Sequence, residues 1–170
     1  ETLIHLQKNS LLHHPDWIFS YACCLYILGD LCSSEAFLLK SVEAFWQVLL
    51  IEPEYTDIHR KIAICFSQLA DFEGSSPLYD KAFHYFQIAT KRDPENESTW
   101  LEWGLTLIHF AHHTFDAQKE YQAYLEAEKK IRKAGKFGCE HAYYHLACLY
   151  SLMGRLSESM RFLKLSNQKN

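Results

Sequence analysis

The chain is poor in residues that interrupt regular structure, with 6 Gly and 4 Pro in 170 residues. An all-β protein with many tight turns needs more of both, and a disordered chain would not be 48% hydrophobic and 15% aromatic. Positive charge is not in excess: 17 Lys and Arg against 21 Asp and Glu leave a formal net charge of -4. Bulk charge therefore points neither to nucleic acid nor to anionic lipid. Apolar runs are short and interrupted, such as Val48 to Ile51, and none is long enough to span a bilayer. There is no Gly-rich phosphate loop, no Gly-x-Ser-x-Gly elbow and no His-Glu-x-x-His motif. Without such a constellation, neither catalysis nor a cofactor is expected.

Six cysteines stand at 23, 24, 32, 65, 139 and 148, mostly inside apolar helical patterns. The adjacent pair Cys23-Cys24 lacks the Cys-x-x-Cys spacing of redox and zinc sites. Buried free thiols in a reducing compartment are the expectation, and hence a cytoplasmic protein. Ten histidines include His109/His113 and His141/His145, whose i, i+4 spacing could put two metal ligands on one helix face. No third ligand type accompanies either pair, so no metal is expected. Trp17, Trp46, Trp100 and Trp103 could stack on bases, but no basic stripe accompanies them, and they read as core.

What the chain does contain is a repeat. Sliding it by 41 residues puts Pro53 on Pro94 and Phe45 on Phe86, with Gly135 at the next step. Ser41 aligns with Ala82 and Ala123, and Val48 with Ala89. Ile62-Ala63-x-x-Phe66 matches Trp103-Gly104-x-x-Leu107, and one step back lies Tyr21-Ala22-x-x-Leu25. Tyr143-x-x-Leu146-Ala147-x-x-Tyr150-x-x-x-Gly154 repeats this grammar near the end. Ala22, Ala63, Gly104 and Ala147 are the small residues that close helix crossings require. Pro53 and Pro94 stop helices and set the connections that follow.

Trp100-x-x-Trp103-Gly104 and Ala82-x-x-x-Phe86-x-x-Ala89-x-x-x-x-Pro94 resemble the tetratricopeptide repeat family. The resemblance covers nearly the whole chain, as units 15–55, 56–96, 97–139 and 140–170, with 1–14 as the tail of a preceding repeat. It implies an all-α fold of antiparallel helix pairs stacked into a right-handed solenoid, and it presents the chain as a piece of a longer array. The family unit is about 34 residues, so three units here carry about seven extra, placed either in the helices or in the hairpin loops. The third unit departs further, with Gly135 in place of Pro and Lys130 where a small apolar residue is usual.

Nine helices are expected, near 1–11, 16–31, 34–51, 56–72, 77–92, 97–113, 115–133, 139–153 and 157–167. Ser34, Ser76-Pro77, Thr114 and Ser157 read as caps of second helices, and Asp16, Thr56 and Glu97-Ser98 as openings of first helices. Thr99-x-x-Glu102 fits a capping box.

The family resemblance implies that first helices line a concave face that holds a peptide or a helix of another protein. In that frame the candidates are Phe19, Cys23, Tyr26 and Ile27, then Arg60, Lys61 and Ile64 beside Asp57. The third unit offers Leu101, Leu105 and Ile108 beside Glu102, and the fourth offers Tyr144, Cys148 and Leu152 beside His145. Relatives that grip a C-terminal carboxylate use several Lys, Asn and Arg side chains, and Lys61 alone cannot do so. The groove composition suits an apolar peptide or amphipathic helix, which also resembles the tetratricopeptide chaperones of bacterial type III secretion. The expected role is a non-catalytic scaffold or chaperone. A self-assembling repeat array, with a possible homodimer, is the alternative.

Overall fold

A computed structural model of the chain describes residues 14–168. Among them are eight α-helices and no strand. They are α1 (Pro15–Leu31), α2 (Glu35–Ile51), α3 (Ile58–Glu73), α4 (Ser76–Arg92), α5 (Glu97–His113), α6 (Ala117–Lys136), α7 (Ala142–Leu152) and α8 (Leu156–Asn167). The ninth expected helix, 1–11, lies outside the described residues. Consecutive helices pack as pairs, α1 on α2, α5 on α6 and α7 on α8. The hairpin connections between α1 and α2 and between α3 and α4 are very short, and the first six helices have 16 to 20 residues against 11 and 12 for the last two. In the first six helices the chain is thus spent on helix, not on loop.

Helix starts differ from the sequence-based assignments, because the capping group must sit where its oxygen or nitrogen reaches a free N–H. α1 is opened by His14, whose Nδ1 accepts from the Asp16 N–H at 3.3 Å, with Pro15 in the first turn. Asn96, not Glu97-Ser98, caps α5: its Oδ1 accepts from the Thr99 N–H at 2.9 Å and the Thr99 hydroxyl at 3.0 Å. Asp116, not Thr114, caps α6 by accepting from the N–H groups of Gln118 and Lys119. Ser34 does occupy the cap position of α2 but makes no capping bond, and neither does Asp57, which precedes α3 in place of Thr56. Arg155, not Ser157, stands at the start of α8. Where Gly135 replaces proline, nothing removes the N–H or blocks the helix, and α6 runs on to Lys136 beyond its expected end at 133.

The chain divides into two compact units, with the division between Tyr85 and Phe86, inside α4. The core of the first unit is built from Ile18, Ala22 and Leu25 of α1, Leu38, Val42, Phe45 and Val48 of α2, and Ile58, Ile62, Cys65 and Leu69 of α3. The Ser41 hydroxyl ties three helices together. It donates to the Ala22 carbonyl at 2.8 Å and lies 3.6 Å from Cys65 Sγ. The core of the second unit draws on Phe86, Trp100, Trp103, Leu107, Ala127, Ile131, Leu146, Leu149, Tyr150 and Phe162. Gly104 is the tight crossing there: a Cβ on it would stand 2.6 Å from Ile131 Cγ1 and 3.3 Å from the Ala127 carbonyl oxygen. Ala22, Ala63 and Ala147 are likewise buried.

Lys130, anomalous as a sequence match, has a physical reason to be where it is. Its Nζ lies 3.7 Å from the centroid of the Trp103 ring, and Lys133 Nζ lies 3.7 Å from that of Trp100. The two indoles stack on each other at 5.7 Å and Trp103 stacks on Phe86 at 6.0 Å. Both lysine stems cover apolar ring while the charges gain the π faces. Burial pushes the Lys130 ammonium below its usual pKa.

Three sequence expectations need correcting. Trp17 and Trp46 are not core: they are 63% and 42% exposed. Of the six thiols, all free, only Cys65 is buried, and Cys24, Cys32 and Cys148 are exposed. A helix has more positions than its core-facing stripe, and cysteine is small enough to occupy either side. Ile108, expected on an open face, is buried at 8%.

Candidate functional site

In the first unit the candidate face is formed by α1 and α3. Phe19, Cys23 and Tyr26 recur at three- and four-residue steps on α1, so they share a side, and all three are half-buried against the core. The Phe19 ring is 5.5 Å from Phe45 and 4.9 Å from Tyr55, which holds it from beneath and from the side. On α3, Arg60, Lys61 and Ile64 are half-buried. Cys23 is close enough to Lys61, Asp57 and Arg60 to feel their charges, so the structure brings the two helices' candidates together. Ile27, at 51% exposure, lies at the margin.

The charges in this face are mostly committed. Arg60 makes a two-point bond with Asp57, Nε to Oδ1 at 2.5 Å and a terminal N–H to Oδ2 at 2.6 Å. Such a fork fixes the guanidinium and leaves little of it for a ligand. Lys61 has no carboxylate partner among the described residues and is the cation left to act.

Two polar devices here escaped sequence reasoning. The Tyr55 hydroxyl donates to Asp16 Oδ1 at 2.7 Å, linking the connection after α2 to the start of α1. Burial, reinforced by that bond and by the charges of Asp16 and Glu52, pushes its phenol up to about 12, so it remains a neutral donor. Gln68 Nε2 donates to Asp30 Oδ1 at 2.9 Å and to the Tyr26 hydroxyl at 3.3 Å, bracing the other end of the face. Gln68 sits seven residues after Lys61, two turns along the same side, and that spacing was the available signal. Tyr55 lies in a connection, where helical periodicity is silent. An open cavity of about 410 Å³ is lined by Asp16, Phe19, Glu52, Tyr55, Thr56 and Asp57.

The Cys23 and Cys65 thiols are not poised for attack. Burial raises Cys23, with Lys61 only partly opposing it, and raises Cys65 to about 12. Both stay protonated near neutral pH, and a thiol needs its thiolate form to act as nucleophile or ligand. Among the described residues no group of three or more His, Cys, Asp or Glu is arranged to hold a metal ion.

In the second unit Leu101 and Leu105 are half-buried on α5, with Ile108 withdrawn into the core. On α7, Tyr144 and Leu152 are about half exposed and Cys148 is exposed. Tyr144 shares a hydrogen bond with Cys148, which raises its phenol, and its ring meets His145 edge-on at 5.5 Å. Burial, then the neighbouring His141, lowers the His145 imidazole, which favours its neutral form. The candidates of this unit lie on α5 and α7, as those of the first lie on α1 and α3.

No protein-family model matches the chain, and no curated protein matches it. No helix among the described residues is long and apolar enough to cross a membrane.

Proposed function

We propose that the chain is a non-catalytic protein-binding module of the tetratricopeptide type, its helix pairs stacked as a right-handed solenoid, holding an apolar peptide or amphipathic helix of another protein in the cytoplasm. The observation that carries this reading is the α1–α3 face. Phe19, Cys23, Tyr26 and Ile64 present half-open apolar surface fixed by tertiary contacts, while the Cys23 thiol and the Tyr55 phenol are neutral and Arg60 is already paired. Pre-set apolar side chains lose little freedom on binding, so more of the burial energy, about 25 cal/mol per Å², is left as affinity. The paired charges leave little to recognise a carboxylate or phosphate.

The test is a binding titration against the natural partner recovered with the full-length protein, run at two salt concentrations. Phe19→Asp is expected to weaken binding by about tenfold or more, with circular dichroism checking that the helices persist. Lys61→Ala is expected to slow association and flatten its salt dependence, with dissociation little changed. Arg60→Ala should have the smaller kinetic effect, because its charge is already met by Asp57. Normal binding by Phe19→Asp, with loss confined to Lys61→Ala, would move the partner off this face.

A further inference from the structure

Charge is divided unevenly along the chain. Residues 1–85 hold eleven acidic residues against five basic ones, and residues 86–170 hold ten against twelve. With histidine neutral, the first unit therefore carries a formal charge of -6 and the second +2. Asp16 and Asp30 are the only charged residues of α1.

Three of the carboxylates stand in the wall of the cavity beside Phe19. Pro53 follows α2 and the chain turns at once, the Tyr55 N–H donating to the Glu52 carbonyl at 3.1 Å, which sets both residues at one opening. At about 410 Å³ the cavity is of the size that takes a small organic group, and no basic side chain lines it. Its carboxylates are unequally engaged. Asp57 is forked by Arg60, and Asp16 accepts from Tyr55 with His14 3.5 Å away. Glu52 is exposed, and its side chain makes no hydrogen bond or ion pair among the described residues. Phe19 and Tyr55, with ring centroids 4.9 Å apart, add aromatic surface.

The next repeat spends the matching positions on its own helix. Forty-one residues after Glu52 and Tyr55 stand Asp93 and Asn96. Asn96 donates to Asp93 Oδ2 at 3.3 Å and caps α5 by accepting from the Thr99 N–H. In the first unit α3 has no side-chain cap, and Glu52 and Tyr55 line the cavity instead.

We propose that this cavity seats a basic side chain of the bound segment, arginine before lysine, within about one helical turn of the apolar residue that rests on Phe19. The inference rests on the reading of the α1–α3 face as a peptide groove and adds a charge requirement to it. A guanidinium forks to a carboxylate and lays its flat face on aromatic rings. Arg60 already forks to Asp57 in this way. Because Phe19 belongs to both the cavity wall and the apolar face, the base and the apolar anchor must be neighbours in the partner. Lys61 is not in the wall, so a partner acid facing it is a separate contact.

The probe is a display library of random peptides of about 16 residues, selected on the full chain. Enriched peptides are expected to carry Arg or Lys within four positions of a large apolar residue. In a titration of one such peptide, changing its base to Ala should weaken binding by about fivefold. Glu52→Gln should cost the same, and the two changes together little more than either alone. Glu43→Gln, an equal loss of charge on α2 outside the cavity, should leave affinity unchanged. Glu52→Lys should recover binding to a peptide whose base is changed to Glu. Enriched peptides without a base, or losses that simply add, overturn the proposal; if Phe19→Asp still abolishes binding, the groove reading stands without it. Peptides that bind Phe19→Asp normally, or no enrichment at all, overturn both. Tighter binding by Lys8→Ala would mean that the chain's own first residues supply the base, and the proposal fails.

Discussion

The two units of the chain meet the same spacing with different chemistry. Both units keep a glycine at a tight helix crossing, Gly29 against Leu38 in the first and Gly104 against Ile131 in the second, and the first adds a polar strut, the Ser41 hydroxyl donating to the Ala22 carbonyl beside Cys65. The second unit instead carries a part-buried charged network. There Tyr150 donates to Glu128 Oε1 at 2.6 Å, Arg132 bonds Glu128 at 2.8 Å and the Tyr150 oxygen at 2.7 Å, and Arg155 lies over the Tyr150 ring. The lysine–indole stacks belong to the second unit as well. A repeat constrains where small and large residues fall; it leaves open whether hydrogen bonds, cation–π contacts or plain packing complete each crossing.

The largest expected effect tests whether the two cores are equivalent. Phe45 and Phe86 occupy matching repeat positions and both are fully buried. Phe45→Ala and Phe86→Ala should each cost about 3–5 kcal/mol in denaturant unfolding. A cost confined to one of them would mean that the units do not unfold together, and separate transitions would then appear.

Next comes the crossing at Gly104 in the second unit. Gly104→Leu should overpack against Ile131 and the Ala127 backbone and cost about 1–3 kcal/mol. Pairing it with Ile131→Ala should recover part of the loss, because the two side chains compete for one space. An unchanged thermal midpoint in the single variant would show that the crossing has room to spare.

The smallest effect separates the units by pH. Burial pushes Glu128 up, but the hydrogen bonds from Tyr150 and Arg132 and the arginine charges outweigh it, so the carboxyl ends below its ordinary value. A depressed acid contributes stability that is present above the unfolded-state pKa, near 4.5, and is lost as pH falls through the folded-state value. Tyr150→Phe should cost about 1 kcal/mol at neutral pH and make the acid limb of the stability profile shallower. An acid limb identical to wild type would show that the Tyr150–Glu128 bond does not contribute to the acid sensitivity.

Helix number, type and most boundaries within residues 14–168 were legible in sequence, because apolar spacing and the prolines act locally. α5 was placed at 97–113, as found, and α1, α2, α4 and α8 to within a residue. Caps were legible only as a class of residue: which of several neighbouring polar groups reaches the free N–H is a matter of ångströms, so Asn96 and Asp116 displaced the expected Glu97-Ser98 and Thr114. Of the candidate site, periodicity could say that Phe19, Cys23 and Tyr26 share a side of α1. It could not say that Tyr55 seals one end and Gln68 braces the other, nor that Arg60 is spent on Asp57.

The sequence by itself determined that the described residues form helices packed in consecutive pairs, with Ala22, Ala63 and Ala147 buried and Gly104 at a close crossing. These depend on the helical period and on side-chain volume, which each segment carries with it. Only the tertiary structure decided which apolar positions are covered. Tyr21 and Ile62 share one repeat position, yet one is 59% exposed and the other fully buried. Periodicity orients a side chain about its own helix axis; whether anything lies across from it depends on a second helix, which the local pattern does not contain.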